Sequence, residues 1–152
     1  MLKITKKVEY ALISLKFIWE EKSRDELTTA REICSKFKLP FDTTSKVMQS
    51  MNNAGILNSE KGIKGGYVLA KKLNNISYLE LVQTVDPKSN DDEFCHSHKG
   101  LCDLYSNCNI IKPIDKLNAT LNGYLKNLTI DQLFMMAFSE ESENKKEGQF
   151  HV

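Results

Sequence analysis

Two predicted helices joined by a tight turn, and followed directly by a glycine-rich hairpin, constrain the fold of this 152-residue chain more than any other feature. The first helix opens at Thr29, whose hydroxyl can cap it while Glu32 reaches back to the cap amide. After a short turn, Pro40 suits the first position of the next helix, which we expect to end near residues 54–55. This order predicts a helix-turn-helix unit.

Two short strands are predicted next, at residues 56–60 and 67–70, joined by the sequence KGIKGG. The glycines of this loop permit the positive φ angles that a tight turn needs. A second capping box, formed by Ser77 and Glu80, opens a further helix that Pro87 ends. A helix-turn-helix with a two-stranded wing is therefore expected in the first half of the chain.

Amphipathic helices are predicted on both sides of this unit. The helix at 5–21 has so wide an apolar arc that we expect it to pack against more than one neighbour. In the helix at 111–128, apolar residues recur at three- and four-residue steps, so this helix needs a partner. A short helix capped by Thr129 is predicted after it. The apolar positions of the long helix are Ile114, Leu117, Leu121, Tyr124, Leu125 and Leu128.

The fold class that we expect is mainly α with a small two-stranded β-wing, a winged helix-turn-helix domain plus a long C-terminal dimerisation helix. We predict four parts: a winged helix-turn-helix domain at 1–86, a cysteine-rich loop at 87–110, a dimerisation helix region at 111–138, and a polar, disordered tail at 139–152.

Charge and hydropathy narrow the class of function. The net charge of +1 combines 14 Lys and Arg against 8 Asp and Glu in residues 1–72 with 7 against 12 in residues 73–152. A basic first half suits a polyanion such as DNA. No apolar run is long enough for a membrane span or a signal peptide, which predicts a cytoplasmic protein with reduced thiols. We find no nucleophile with its base, no nucleotide loop and no substrate-pocket signature, so an enzyme is not expected.

The helix after the turn is the candidate DNA reader. One face is predicted to be buried and carries Phe41, Thr44, Val47, Met48 and Met51. The opposite face is small and polar, which suits base edges and phosphates, and Lys61 and Lys64 on the wing are placed to meet the DNA backbone. The candidate contacts on the polar face are Asp42, Thr43, Ser45, Lys46 and Gln49. Asp42 repels phosphate, and an ordinary three-helix unit with a solvated polar face remains the alternative.

Six segments together resemble a known family: VEYAL, EICSKFKLPF, NNAGIL, the wing SEKGIKGGYVLA, NISYLELVQTVD, and a three-cysteine loop before a long helix. They are similar to the bacterial winged-helix regulators typified by the iron-sulfur regulator IscR and the nitric-oxide-sensing repressor NsrR. The resemblance covers about residues 1–135. It implies a homodimer held by the long helices that binds a palindromic operator in double-stranded DNA, with operator contacts at Asp42, Ser45, Lys46, Gln49 and Lys61.

Cys95, Cys102 and Cys108 form the candidate metal site. Their spacing lacks the Cys-x2-Cys pattern of most structural zinc sites and is too open for a Cys-x-x-Cys redox pair. An iron-sulfur cluster, either 2Fe-2S or 4Fe-4S, suits a wrapping loop of thiolates better. Cluster-binding members of the resembled family have three cysteines at nearly this spacing, whereas a cysteine-bearing loop without metal is the alternative. Cys34 is expected to be a small core residue.

Three thiolates leave one coordination position open. The resembled IscR branch uses a histidine at the position of Ile111, so that mode is in doubt here. His96 and His98 are close in sequence to Cys95. Glu9 is the other candidate, because the resembled nitric-oxide-sensing branch uses an acidic residue there from the partner subunit's first helix. Ile13, one turn away, indicates that Glu9 is covered.

The function that we expect is a DNA-binding transcriptional regulator, acting as a repressor, that senses nitric oxide, redox or iron status through its cluster. A cluster-free regulator of the same family, responding to a partner protein or metabolite, is the alternative, and a redox carrier or zinc protein is a less favoured one.

Overall fold

The computed structural model describes residues 4–22, 26–90 and 102–136. It is mainly helical with one two-stranded antiparallel sheet, as the sequence predicted. The elements, in chain order, are α1 (Lys6–Glu21), α2 (Ala30–Phe37), α3 (Phe41–Asn53), β1 (Leu57–Glu60), β2 (Gly66–Leu69), α4 (Tyr78–Val85) and α5 (Ile111–Asn127). Residues 130–136 are also helical. The predicted tail at 139–152 and Cys95 lie outside the described residues.

Two helix starts are fixed by the hydroxyl half of the capping boxes that the sequence predicted. The Thr29 hydroxyl accepts a hydrogen bond from the Glu32 amide at 3.1 Å, and the Ser77 hydroxyl accepts one from the Glu80 amide, also at 3.1 Å. Both bonds satisfy a backbone donor that has no partner inside its helix. The start of α3 differs from the prediction, because Pro40 has an extended conformation and is the N-cap, so that Phe41 is the first helical residue.

Three glycines shape the wing. Strand β1 pairs with β2 in a register that places Leu57 opposite Leu69 and Glu60 opposite Gly66. Gly62 has a φ of +127°, which L side chains rarely adopt. A Cβ atom on Gly65 would lie 2.5 Å from the Glu60 carbonyl oxygen, and one on Gly66 would lie 2.9 Å from the Thr28 carbonyl oxygen. The wing therefore needs glycine at all three positions.

The core is built around α1, which packs against α3 and α4. Its buried side chains include Val8, Ala11 and Leu15. Near the C-terminal end of the same face, Trp19 stacks on Phe134 from residues 130–136, with ring centroids 5.9 Å apart. The prediction that α1 has more than one neighbour is confirmed, and packing against several elements explains its wide apolar arc.

Backbone hydrogen bonds tie the end of the described chain to the winged domain. The Tyr78 amide donates to the Leu128 carbonyl at 2.8 Å, and the Ile130 amide donates to the Ile76 carbonyl at 2.9 Å. These bonds anchor the C-terminal end of α5 beside α4. Within the described ranges, no helix is long and apolar enough to cross a membrane.

Candidate DNA interface and cluster-binding segment

The polar face of α3 is the candidate DNA-reading surface, and the core fixes its orientation. Thr44, Val47, Met48 and Met51 are buried, as predicted, and hold the opposite side of the helix against the domain. This packing leaves the sequence-predicted contacts outside the core: Asp42, Lys46 and Gln49 are exposed, while Thr43 and Ser45 are partly buried. The structure thus places these five residues together on one helix.

Phe41 contradicts the sequence prediction. It was assigned to the buried face of α3, but its side chain is 46% exposed. Cα–Cβ bonds in a helix tilt toward the N-terminus, so a residue of the first turn extends beyond the end of the helix, where no preceding turn covers it. Periodicity alone does not reveal that Phe41 is exposed. The signal in the sequence was Pro40 directly before it, because proline is typical of a helix start and places Phe41 in the first turn.

The tip of the wing presents two cations and one apolar side chain to solvent. Lys61 and Lys64 are exposed, and Ile63 between them is fully exposed. The turn geometry of Gly62 and Gly65 sets this presentation. The wing therefore offers positive charge at its outermost point, as a phosphate contact requires.

Ion pairing separates the candidate DNA contacts from many other lysines. Lys6, Lys7, Lys16, Lys22, Lys36 and Lys71 each pair with a carboxylate. No such pair is found for Lys46, Lys61 or Lys64 among the described residues. No carboxylate in the described part of the chain neutralises their charge, which is therefore available for an anionic partner.

Asp42 has a structural role that accounts for an acidic residue on this face. It lies in the first turn of α3, where a carboxylate interacts favourably with the positive end of the helix dipole. An acid at this position is therefore compatible with DNA binding by the rest of the face.

Two of the three candidate cluster ligands lie in the described chain, directly before α5. Cys102 is exposed and Cys108 is partly buried, and both are free thiols. Between them the backbone makes two tight turns, in which the Tyr105 amide donates to the Cys102 carbonyl at 3.1 Å and the Asn107 amide donates to the Leu104 carbonyl at 3.0 Å. Free, accessible thiols on a turning loop fit the ligation of an iron-sulfur cluster.

The rest of the predicted ligand set is not brought together by the described residues. Cys95, His96 and His98 lie outside them. Within 4–22, 26–90 and 102–136, no group of three or more His, Cys, Asp or Glu side chains is placed to hold a metal ion. Cys34 lies on α2, partly buried and away from the loop in sequence.

The described residues cover Glu9 only in part, whereas Ile13 led us to expect a covered carboxylate. Its side chain is 42% exposed, and its carboxylate accepts a hydrogen bond from Lys6 Nζ at 2.7 Å. This hydrogen bond, together with the charge of Glu9, raises the pKa of Lys6. Lys6 is one turn away and therefore satisfies the carboxylate that was expected to need a partner.

An apolar stripe on α5 has no partner within the described protomer. Leu117, Leu121 and Tyr124 are 52%, 47% and 56% exposed. Near the end of the helix, an open groove continues this surface and is lined by Tyr124, Leu128, Met135 and Met136, among others. Exposed apolar surface of this extent is typical of a site that another chain covers.

Comparison with known proteins identifies this arrangement. The model of the Rrf2 family, described as iron-dependent transcriptional regulators, matches residues 4–135. The chain belongs to the Rrf2 family. This Rrf2 protein is a DNA-binding transcriptional regulator with a winged helix-turn-helix fold.

Individual relatives agree with the assignment to Rrf2. The chain is 27% identical over 128 residues to a protein of Aquifex aeolicus named as an HTH-type transcriptional regulator, covering 83% of this chain and 87% of the relative. It is 33% identical over 85 residues to an rrf2-like HTH-type regulator of Rhodobacter capsulatus, covering 55% of this chain and 57% of the relative.

Solved structures show the same fold at low identity. CymR, the global cysteine regulator of B. subtilis, matches with a TM-score of 0.60 at 19% identity, covering 88% of this chain and 96% of that one. T. potens IscR matches with a TM-score of 0.59 at 17% identity, covering 99% of this chain and 93% of that one. The fold of this chain is therefore similar to the folds of both CymR and IscR, although the sequence identity is low.

Proposed function

We propose that this Rrf2 protein represses transcription from a palindromic operator as a homodimer and senses nitric oxide, redox or iron status through an iron-sulfur cluster. The observation that carries the sensing part is the pair of free thiols, Cys102 and Cys108, on the turning loop that leads into α5. With Cys95 they supply three of the four protein ligands that such a cluster takes.

The cysteines would hold the cluster, and Glu9 of the partner subunit is our candidate for the remaining ligand. A bound cluster supplies an iron centre that reacts with oxidants and nitric oxide. The chain supplies the thiolates and the loop that positions them. Glu9 must exchange its hydrogen bond with Lys6 for the iron, and because that bond is between partly exposed side chains it opposes the exchange only weakly.

The DNA part of the proposal uses the α3 face and the wing tip. Lys46, Lys61 and Lys64 carry charge that is not neutralised by a carboxylate among the described residues, as phosphate contacts require. Ser45 and Gln49 are the candidates for base contacts, with Asp42 and Thr43 beside them at the start of the helix. A glutamine in the major groove can bond to adenine with two hydrogen bonds.

Anaerobic purification followed by visible absorption, iron and sulfide analysis tests the cluster. We expect a brown protein with charge-transfer bands. Replacing Cys95, Cys102 or Cys108 by Ser is expected to abolish or severely weaken iron binding, whereas the matched Cys34→Ser control keeps it. Normal iron content in all three loop variants would contradict the cluster assignment, and a colourless wild-type protein would favour a cluster-free regulator.

The role of Glu9 is tested with heterodimers. One chain carries Glu9→Ala and the other lacks the three loop cysteines, so that the only complete site combines the cysteines of the first chain with Glu9 of the second. We expect one native cluster per dimer. A native spectrum in the Glu9→Ala homodimer would exclude Glu9, leaving His96, His98 or an external ligand as the remaining candidates.

A further inference from the structure

Phe41 has an aromatic side chain that does not belong to the hydrophobic core of the described residues. It is the first residue of α3 and is 46% exposed, although Thr44 and Met48, three and seven residues further along the helix, are buried. Single exposed apolar side chains are common on protein surfaces, so exposure alone carries no conclusion. What distinguishes Phe41 is its position relative to the DNA-reading face.

Phe41 is in line with two candidate base contacts. Residues four apart on a helix are neighbours on its surface, so Phe41, Ser45 and Gln49 form one row along α3. In a helix-turn-helix, the N-terminal residues of the recognition helix are the ones that contact base edges. The ring therefore lies at the end of α3 that enters deepest into a major groove.

Arg31 on α2 is the second observation. Its guanidinium lies 5.8 Å from the centre of the Phe41 ring, within the range of a cation–π contact. Arg31 is exposed, and no ion pair between it and a carboxylate is found among the described residues. The same contact that holds the ring thus places an uncompensated positive charge beside it, which suits a surface that faces phosphate.

We propose that Phe41 reads a thymine by contacting its 5-methyl group in the major groove, and that Arg31 positions the ring and contacts a neighbouring phosphate. Thymine is the base that presents a methyl group there, and phenylalanine is one of the side chains that contacts it. The proposal rests on the DNA-binding function and adds a specificity determinant that is apolar, beside the polar contacts of Ser45 and Gln49.

The test uses duplexes selected by the wild-type protein from a randomised pool, in which each thymine is replaced in turn by deoxyuridine. This change removes the methyl group and keeps base pairing. For the wild type we expect one thymine per half-site at which the replacement weakens binding roughly fourfold, the factor expected from burying one methyl group. Phe41→Ala is expected to lose this sensitivity, and Phe41→Leu to keep part of it.

Phe37→Ala is the matched control. Phe37 is also an exposed aromatic residue with a cation nearby, Lys36 at 5.8 Å from its ring centre, but it lies at the end of α2 and packs edge-on against Phe17. This variant is expected to discriminate thymine from deoxyuridine as the wild type does. Thermal unfolding of all variants shows whether any change in binding follows from lost stability.

The outcomes separate this proposal from the general function. If the selection yields no duplex, DNA binding itself fails and the proposal fails with it. If duplexes are selected but no thymine is sensitive to the replacement, or if Phe41→Ala keeps the full sensitivity, DNA binding stands and methyl reading by Phe41 is overturned. Arg31→Gln is expected to lower the salt slope by about one, because a phosphate contact is lost, and to reduce the thymine sensitivity in part, because the ring loses its support. Full thymine sensitivity in Arg31→Gln would overturn the positioning role of Arg31.

Discussion

Individual lysines of this protein differ in whether they form an ion pair with a carboxylate of the same chain. Lys16 pairs with Glu20 one turn away on α1, whereas no such partner is found for Lys46 and Lys61 in the described part of the chain. Surface ion pairs of the first kind contribute little to stability. Lysines without such a partner beside the polar face of α3 instead contribute mainly to the affinity for DNA, whose phosphates they can contact.

Salt dependence tests this difference. Lys46→Ala and Lys61→Ala are each expected to weaken operator binding and to lower the slope of log affinity against log salt by about one, because each removes one phosphate contact. Gln49→Ala, which removes a base contact, is expected to cost about 1–3 kcal/mol on the operator and little on random DNA. Titrations at several salt concentrations measure both effects.

Lys16→Ala is the control for these variants, since it removes the same charge from a residue that is already paired. Its binding curve and salt slope are expected to match those of the wild type. If Lys46→Ala and Lys61→Ala behave like Lys16→Ala, the DNA surface lies elsewhere on the molecule.

At the scale of helices and strands, local chemistry was predictable and long-range burial was not. The Thr29 and Ser77 caps followed from hydroxyl–amide bonds that span three residues. The stacking of Trp19 on Phe134 joins distant parts of the chain, so only the apolar width of α1 indicated that a neighbour exists. Burial of Phe41 was wrongly predicted. Periodicity shows on which face of a helix a residue lies, but it does not show whether another element covers that residue.

The candidate site divides in the same way. The outward face of α3 could be derived, since its buried face is continuous over Thr44, Val47, Met48 and Met51. The bond between Lys6 and Glu9 has the spacing of an ordinary helical ion pair, and that spacing was available in the sequence. The contact of Arg31 with Phe41 could not be predicted from the sequence, because it depends on how α2 and α3 pack across the turn.

The wing depends on a glycine where a side chain would meet backbone. In Gly65→Ala the new Cβ would lie 2.5 Å from the Glu60 carbonyl oxygen, so the turn must open. We expect a loss of about 1–3 kcal/mol in the free energy of unfolding, in the range of overpacked sites, together with weaker operator binding as Lys61 and Lys64 move. Urea unfolding and DNA titration measure the two effects.

Gly123→Ala is the opposite case and serves as control. Gly123 lies inside α5, and a Cβ there would meet nothing within 4 Å. Alanine is expected to raise the free energy of unfolding by about 0.5–1 kcal/mol, because glycine loses more backbone entropy on entering a helix. Wild-type stability and affinity in Gly65→Ala would mean that the wing turn relaxes at little cost.

For the whole molecule, the unpartnered surface of α5 determines what the assembly can be. Leu117, Leu121 and Tyr124 form an exposed stripe, and helices that associate through such a stripe bury it from water. Two-fold symmetry then matches the two half-sites of a palindromic operator, which are spaced by a helical turn of DNA or a multiple of it. Our proposal of a homodimer therefore links α5 to DNA affinity.

A charge placed in the stripe is expected to separate the subunits. In Leu121→Glu, a carboxylate would be buried without a partner in the dimer interface, which costs several kcal/mol. Ala119→Glu adds the same charge to an exposed position on the opposite side of α5 and serves as the control. Sedimentation equilibrium is expected to give twice the chain mass of 17.4 kDa for the wild type and the control, and a single chain mass for Leu121→Glu.

Operator binding is expected to change with the mass. The Leu121→Glu monomer is expected to bind a full operator no more tightly than a single half-site, whereas the Ala119→Glu control is expected to bind the full operator more tightly. A dimeric Leu121→Glu protein with wild-type operator affinity would show that the subunits associate through another surface.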